Sequence, residues 1–185
     1  MWLELKYWGL RKMGSEKMKR DKIKDKNKEV FSISLLLADD ANNVLTKYLD
    51  KDKLDFTIGS LKVVDNYLDK VRKERKNLNE KDIQKIILRC GTYLGEVIRK
   101  SRPKQFVWLS YNSALEFPSF KKFGFEKDIT TYYVLFNKES KGFWFPLAKP
   151  YKFLENGRAD NLWSFAKVCL NLKEIEKKKK NDRYN

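Results

Sequence analysis

The sequence predicts an α+β domain with three N-terminal helices, a small, mostly antiparallel sheet and a C-terminal helix. Three observations carry this. Apolar residues recur at three- and four-residue spacing through three segments before Pro103, the texture after Pro103 changes to short β-branched and aromatic runs, and helical spacing returns after Asp160. The order α-α-α-β-β-β-α leaves a few strands to be covered by helices, the layer solution of an α+β fold.

The first helix is expected over Ser32–Leu49, where Ile33, Leu36, Leu37, Ala41, Val44, Leu45 and Leu49 fall at helical intervals. The second follows Thr57, with Thr57 or Ser60 as its cap and Leu61, Val64, Leu68 and Val71 as its stripe. It ends in the basic run Lys70–Lys76. The third runs from Glu80 to about Lys100, opened by Asn79 and Asp82 and carried by Ile83, Ile86, Ile87, Cys90, Leu94, Val97 and Ile98. Pro103 stops it. Strands are expected over Gln105–Ser110, Thr130–Asn137 and Gly142–Leu147, with Lys149–Leu154 as a candidate continuation beyond the irregularity at Pro146 and Pro150. Asn156-Gly157 supplies a turn, Asp160 a cap, and Leu162, Phe165, Ala166, Cys169 and Leu172 the face of the last helix.

Residues 1–30, with ten basic and five acidic residues, read as a charged, flexible arm; 31–172 form the domain and 173–185 a Lys-rich tail. Met13 and Met18 are alternative starts. From Met18, Val30–Ala38 would be an apolar stretch faintly like a secretory signal, but Asp21, Asp25 and Glu29 interrupt its basic flank. No apolar run reaches the roughly 18 residues that span a bilayer. Cys90 and Cys169 sit on apolar helix faces as free core thiols, which suits the cytoplasm.

The absence of histidine excludes Ser-His-Asp and Cys-His nucleophiles and helical His-pair zinc sites. Two cysteines cannot build a four-Cys zinc site, and no GxGxxG or Walker loop is present, so neither metal nor cofactor is expected. Asp39, Asp40, Asp65, Asp69, Glu96 and Glu116 share no spacing that would bring two carboxylates into one cleft. No catalytic residue is assigned, and the expectation is a chain that is not an enzyme.

The formal charge is +16, from 41 Lys+Arg against 25 Asp+Glu. Half of the excess lies in the two ends, and the basic residues are 32 Lys to 9 Arg, although bidentate phosphate recognition favours Arg. A nucleic-acid reading therefore stands second. It uses the basic patches 70–76 and 99–104, with Arg72, Lys73, Arg75, Arg99 and Arg102 as candidate phosphate contacts.

The 26 aromatic residues point elsewhere. Gly91 and Gly95, one turn apart in a helix, imply close packing on that side, while Tyr93 and Glu96 project from the third helix away from its Ile83/Cys90/Leu94 stripe. Lys141–Leu147 is similar to the aromatic central strand of the RNA-recognition fold, but departs from it at Trp144, Pro146 and Ala148 and in element order. Phe143 and Phe145 then belong to the core, with Trp144 on the opposite face. Both faces of the later strands are apolar. Either the N-terminal segment covers the second face, or that face docks a partner through aromatic anchors flanked by Lys and Arg. Tyr93, Glu96, Tyr133 and Trp144 are the candidate partner-binding residues.

Three stretches together, Leu54–Leu68, Tyr93–Arg99 and Pro146–Leu162, resemble a family of small bacterial proteins of uncharacterised function, over roughly Leu54–Leu172. The resemblance implies a cytoplasmic accessory or toxin-immunity-type protein and brings no catalytic residues with it. This chain departs from the family in its charged N-terminal extension and in Pro150. The leading expectation is thus a non-enzymatic cytoplasmic binding module for a protein partner, an acidic one being the candidate that the charge favours.

Overall fold

The computed structural model describes residues 25–39, 41 and 43–170; the N-terminal arm as far as residue 24, both alternative starts and the Lys-rich tail lie outside the described residues. The fold is α+β, and its helices follow the apolar spacing closely except at the start. Helix α1 spans Asn27–Leu35, not Ser32–Leu49. It begins inside the segment expected to be the arm, and Val30 is already in the core. Beyond α1 the backbone is claimed by side chains. Asp39 accepts from the Ala41 N–H, Asn43 donates to the Leu37 carbonyl and Tyr67 donates to the Val44 carbonyl. Such bonds compete with helix formation, so Leu37 and Leu49 reach the core from turns.

Helix α2, Leu61–Glu74, buries Leu61, Val64, Leu68 and Val71 as its stripe requires. Ser60 precedes it, but its hydroxyl is spent on the Thr57 carbonyl and Tyr93. Helix α3, Glu80–Ser101, is capped by Asn79, whose side chain accepts from the Asp82 N–H. It is the central element: α1, the helix Ala148–Asn156 and the strand Phe106–Ser110 all pack on it, and every residue from Arg89 to Ile98 is buried. Gly91 and Gly95 permit the closest of these contacts. A Cβ on Gly91 would lie 2.6 Å from the Leu147 Cα, and one on Gly95 would lie 2.0 Å from the Trp108 ring.

Strands β1 (Phe106–Ser110), β2 (Tyr133–Asn137) and β3 (Phe143–Trp144) form one antiparallel sheet in the order β1-β2-β3. Trp108 is opposite Leu135, which is opposite Trp144. Alternation then sends Phe106, Trp108, Tyr133, Leu135 and Trp144 to the main core, and Val107, Leu109, Val134, Phe136 and Phe143 to the other face. That second face is covered within the chain. Two short helices, α4 (Tyr111–Ala114) and α5 (Pro118–Lys122), lay Ala114, Phe117 and Phe120 across it, joined by Tyr111 and Phe125. The cover is neither the N-terminal segment nor a partner, which removes that face as a docking surface.

Strand β3 stops before Pro146, and the expected continuation over Lys149–Leu154 is instead helix α6, Ala148–Asn156. Pro150 falls in its first turn, where a missing N–H breaks no helical bond. The last helix, α7, covers 162–170 among the described residues. Its cap is Asn161, which accepts from the Ser164 N–H; Asp160 instead pairs with Lys149 and Asn156. The buried Asp65 carboxylate accepts from the N–H groups of Leu162 and Trp163, tying α7 to α2. Among the described residues no helix is long and apolar enough to cross a membrane.

Candidate functional site

Glu96 is fully buried. Its Oε1 accepts from Trp108 Nε1 at 2.8 Å and from Arg99 Nε at 2.7 Å, and its Oε2 accepts from Arg99 Nη2 at 2.8 Å. The carboxylate hydrogen bonds hold the Arg99 guanidinium above its usual range despite partial burial. Tyr93 is buried one turn earlier. Its hydroxyl meets Ser60 Oγ at 2.7 Å and accepts from the Phe56 N–H at 3.0 Å, and burial raises its pKa. The ring stacks on Phe56, over which the Lys100 ammonium sits at 3.8 Å. Phe56 has φ 59°, a left-handed backbone uncommon for a bulky residue, and that N–H bond and the stack hold it there.

Tyr133 is buried as well, and its hydroxyl donates to Glu29 of α1. Burial first, and then that carboxylate, push its pKa well up. Tyr93, Glu96 and Tyr133 are therefore packing and bonding residues, not surface contacts. The helical wheel assigned α3 one buried side, but α1 and β1 close over the other. Of the four candidate anchors only Trp144 is partly exposed, with its ring edge-on to Phe165 at 6.0 Å.

The candidate phosphate contacts are also largely engaged. Arg72 Nη2 donates to the Glu155 carbonyl, and Arg75 donates to the Leu154 carbonyl and to Glu155 Oε1. Both guanidinium groups thus satisfy the C-terminal end of α6, where the helix dipole favours a cation. Arg99 is bound to Glu96, and Arg102 reaches Gln105 Oε1. Lys73 is exposed and has no ion pair among the described residues. The two basic runs lie at opposite ends of α3, roughly 30 Å apart at 1.5 Å rise per residue. They do not form one patch.

What reaches the surface is a cleft of about 220 Å³ where α1, the β1–α4 corner and the loop before β2 meet. Tyr132, which is 45% exposed, stands edge-on to Tyr133 with Lys127 above its ring. Lys26, Glu29, Ser110, Tyr111 and Asn112 complete the wall, with Lys26 Nζ paired to Glu29 Oε2 at 2.5 Å. The signal for Tyr132 was present in the sequence. Adjacent residues in a strand face opposite ways, so whichever of Tyr132 and Tyr133 enters the core leaves the other outside. Among the described residues no three Cys, Asp or Glu side chains converge in a way that would hold a metal.

Compared with protein-family models, curated proteins and solved structures, the chain matches none.

Proposed function

We propose that this chain is a non-enzymatic, immunity-type binding module of the cytoplasm that docks an acidic protein partner on the Tyr132 cleft. The observation that carries the reading is the exposed Tyr132 with Lys127 above its ring and Ser110 and Asn112 beside it, in a cleft where Lys26 is paired with Glu29. A rigid aromatic anchor rimmed by polar groups is the usual composition of an interface hot spot. The net charge of +16 favours fast encounter with an acidic surface. Two buried, unpaired thiols suit a reducing compartment. Trp144 is a second contact in this reading.

The test is capture of the tagged chain from lysate of its own host, with and without nuclease, followed by affinity measurement with the partner identified by mass spectrometry. Tyr132→Ala is expected to weaken the complex about tenfold, as loss of an interface tyrosine does, with an unchanged circular dichroism spectrum. If the Tyr132→Ala and Trp144→Ala variants both bind as the parent does, the cleft is not the docking site. Companions that vanish on nuclease treatment would replace protein docking with nucleic-acid binding.

A further inference from the structure

Trp163 is anchored to α2 through its backbone. It lies at the start of α7, where Asn161 caps the helix and Asp65 accepts from the Trp163 N–H. Trp163 is partly buried, packs against the main core, and carries two cations over its ring, Lys62 Nζ at 4.8 Å and Lys167 Nζ at 4.5 Å from the centroid. Among the described residues neither lysine is in an ion pair, because the nearby acids are taken. Arg158 holds Asp69, Lys149 holds Asp160, and Asp65 is bound to backbone N–H groups. Lys62, Asn66, Lys70 and Lys73 are all exposed and fall within about 80° of the α2 circumference. Lys70 and Lys73 follow Lys62 about 12 and 16 Å along the axis.

We propose that Trp163, Lys62 and Lys167 form a stacking site for single-stranded nucleic acid. One base displaces the ammonium groups from the indole and stacks in their place, its neighbouring phosphates take the two ammonium groups, and the strand continues past Lys70 and Lys73. A carboxylate would satisfy the lysines and leave the ring idle, whereas a nucleotide offers both a π-face and an anion. The site shares no residue with the Tyr132 cleft. It places nucleic-acid binding on the α2–α7 face instead of on the arginines of the two basic runs.

The experiment is fluorescence anisotropy of the full chain with fluorescein-labelled U20 and dT20 at 50 and 200 mM salt. Saturable binding is expected, and Trp163→Ala should weaken it about tenfold, within the range that loss of one base stack produces. Trp163→Phe should retain most of the affinity, which separates stacking from folding. Lys62→Gln with Lys167→Gln should reduce the salt slope by about 1.4, the value for two single-strand phosphates. Lys121→Gln with Lys122→Gln removes the same charge from α5 and should leave affinity unchanged. Equal losses from the two lysine pairs would reduce the effect to net charge and overturn the site. So would unchanged binding by Trp163→Ala, no saturable binding at 50 mM salt, equal affinity for UMP, or equal competition by an oligoglutamate.

Discussion

Glu96 shows how far one side chain's role depends on what folds over it. Its three charge-assisted bonds fill the space between α3 and β1, and Gly95 beside it admits the indole that supplies one of them. Removing one partner of such a pair leaves the other buried and unsatisfied, whereas replacing both with apolar residues is often neutral. Glu96→Ala is therefore expected to cost about 3–5 kcal/mol in urea denaturation. Glu96→Met combined with Arg99→Met should recover the part of that loss that comes from the unpaired Arg99, the Trp108 N–H remaining without its acceptor at a cost of about 1–3 kcal/mol, and a double variant as unstable as Glu96→Ala would refute the pairing. The glycine spacing did announce a close approach. The identity of the approaching residue did not follow from it, because Trp108 is on a different element and only the assembled fold brings its ring to Gly95.

At the scale of elements, the legible parts were those long enough to show a period. The stripes of α2 and α3 and the strand β1 are read directly from spacing, and Asn79 and Pro103 mark the ends of α3. Helices α4 and α5 have four and five residues, too short for any period, so the cover on the second sheet face was invisible. In α6, Tyr151 and Phe153 alternate around Lys152 as they would in a strand, while Pro150 fits a first helical turn equally well. Two carboxylates near α6 and α7 titrate with opposite consequences. Partial burial pushes the Asp160 carboxyl up, but the bonds from Lys149 and Asn156 together hold it below the ordinary value. Its contribution is complete above the unfolded pKa and is lost as pH falls through the lower folded one. Burial raises the Asp65 carboxyl despite its two backbone donors. The folded state then takes up that proton at higher pH than the unfolded chain, so this contribution grows on acidification and fades as pH rises through the raised value. Thermal midpoints measured from pH 6 down to pH 3 should fall less steeply in Asp160→Asn than in the parent, and more steeply in Asp65→Asn. The reverse order would show the signs to be wrong.

For the whole molecule, the decisive fact is that a sheet of three short strands is covered on both sides by its own chain. One face rests on α3 and the other on the α4–α5 segment, so the surplus of aromatic residues is mostly spent inside. Composition could not distinguish this from a docking face, since both need the same apolar alternation on two sides. The charge is similarly ambiguous in composition and resolved only by position. Four of the arginines singled out from the sequence serve internal bonds, while exposed lysines such as Lys62, Lys70 and Lys73 face solvent. Both candidate binding surfaces join residues far apart in sequence, Lys26 with Tyr132 and Lys62 with Trp163, which a single-sequence pattern does not locate.

The start of α1 also covers part of the outer edge of the sheet. Strand β1 is an outer strand, and the Trp108 N–H and carbonyl that point away from the sheet are met by Asn27 Oδ1 and the Lys26 N–H. Unmet, those groups would be a template for another copy's strand. A chain shortened to begin at residue 31 should therefore form concentration-dependent multimers by light scattering, while the full chain, or one beginning at residue 25, does not. Equal scattering from all three would mean that the strand's outer side needs no guard. Multimers from the shortened chain alone would make a stretch that reads as a dispensable arm the element that keeps neighbouring molecules apart.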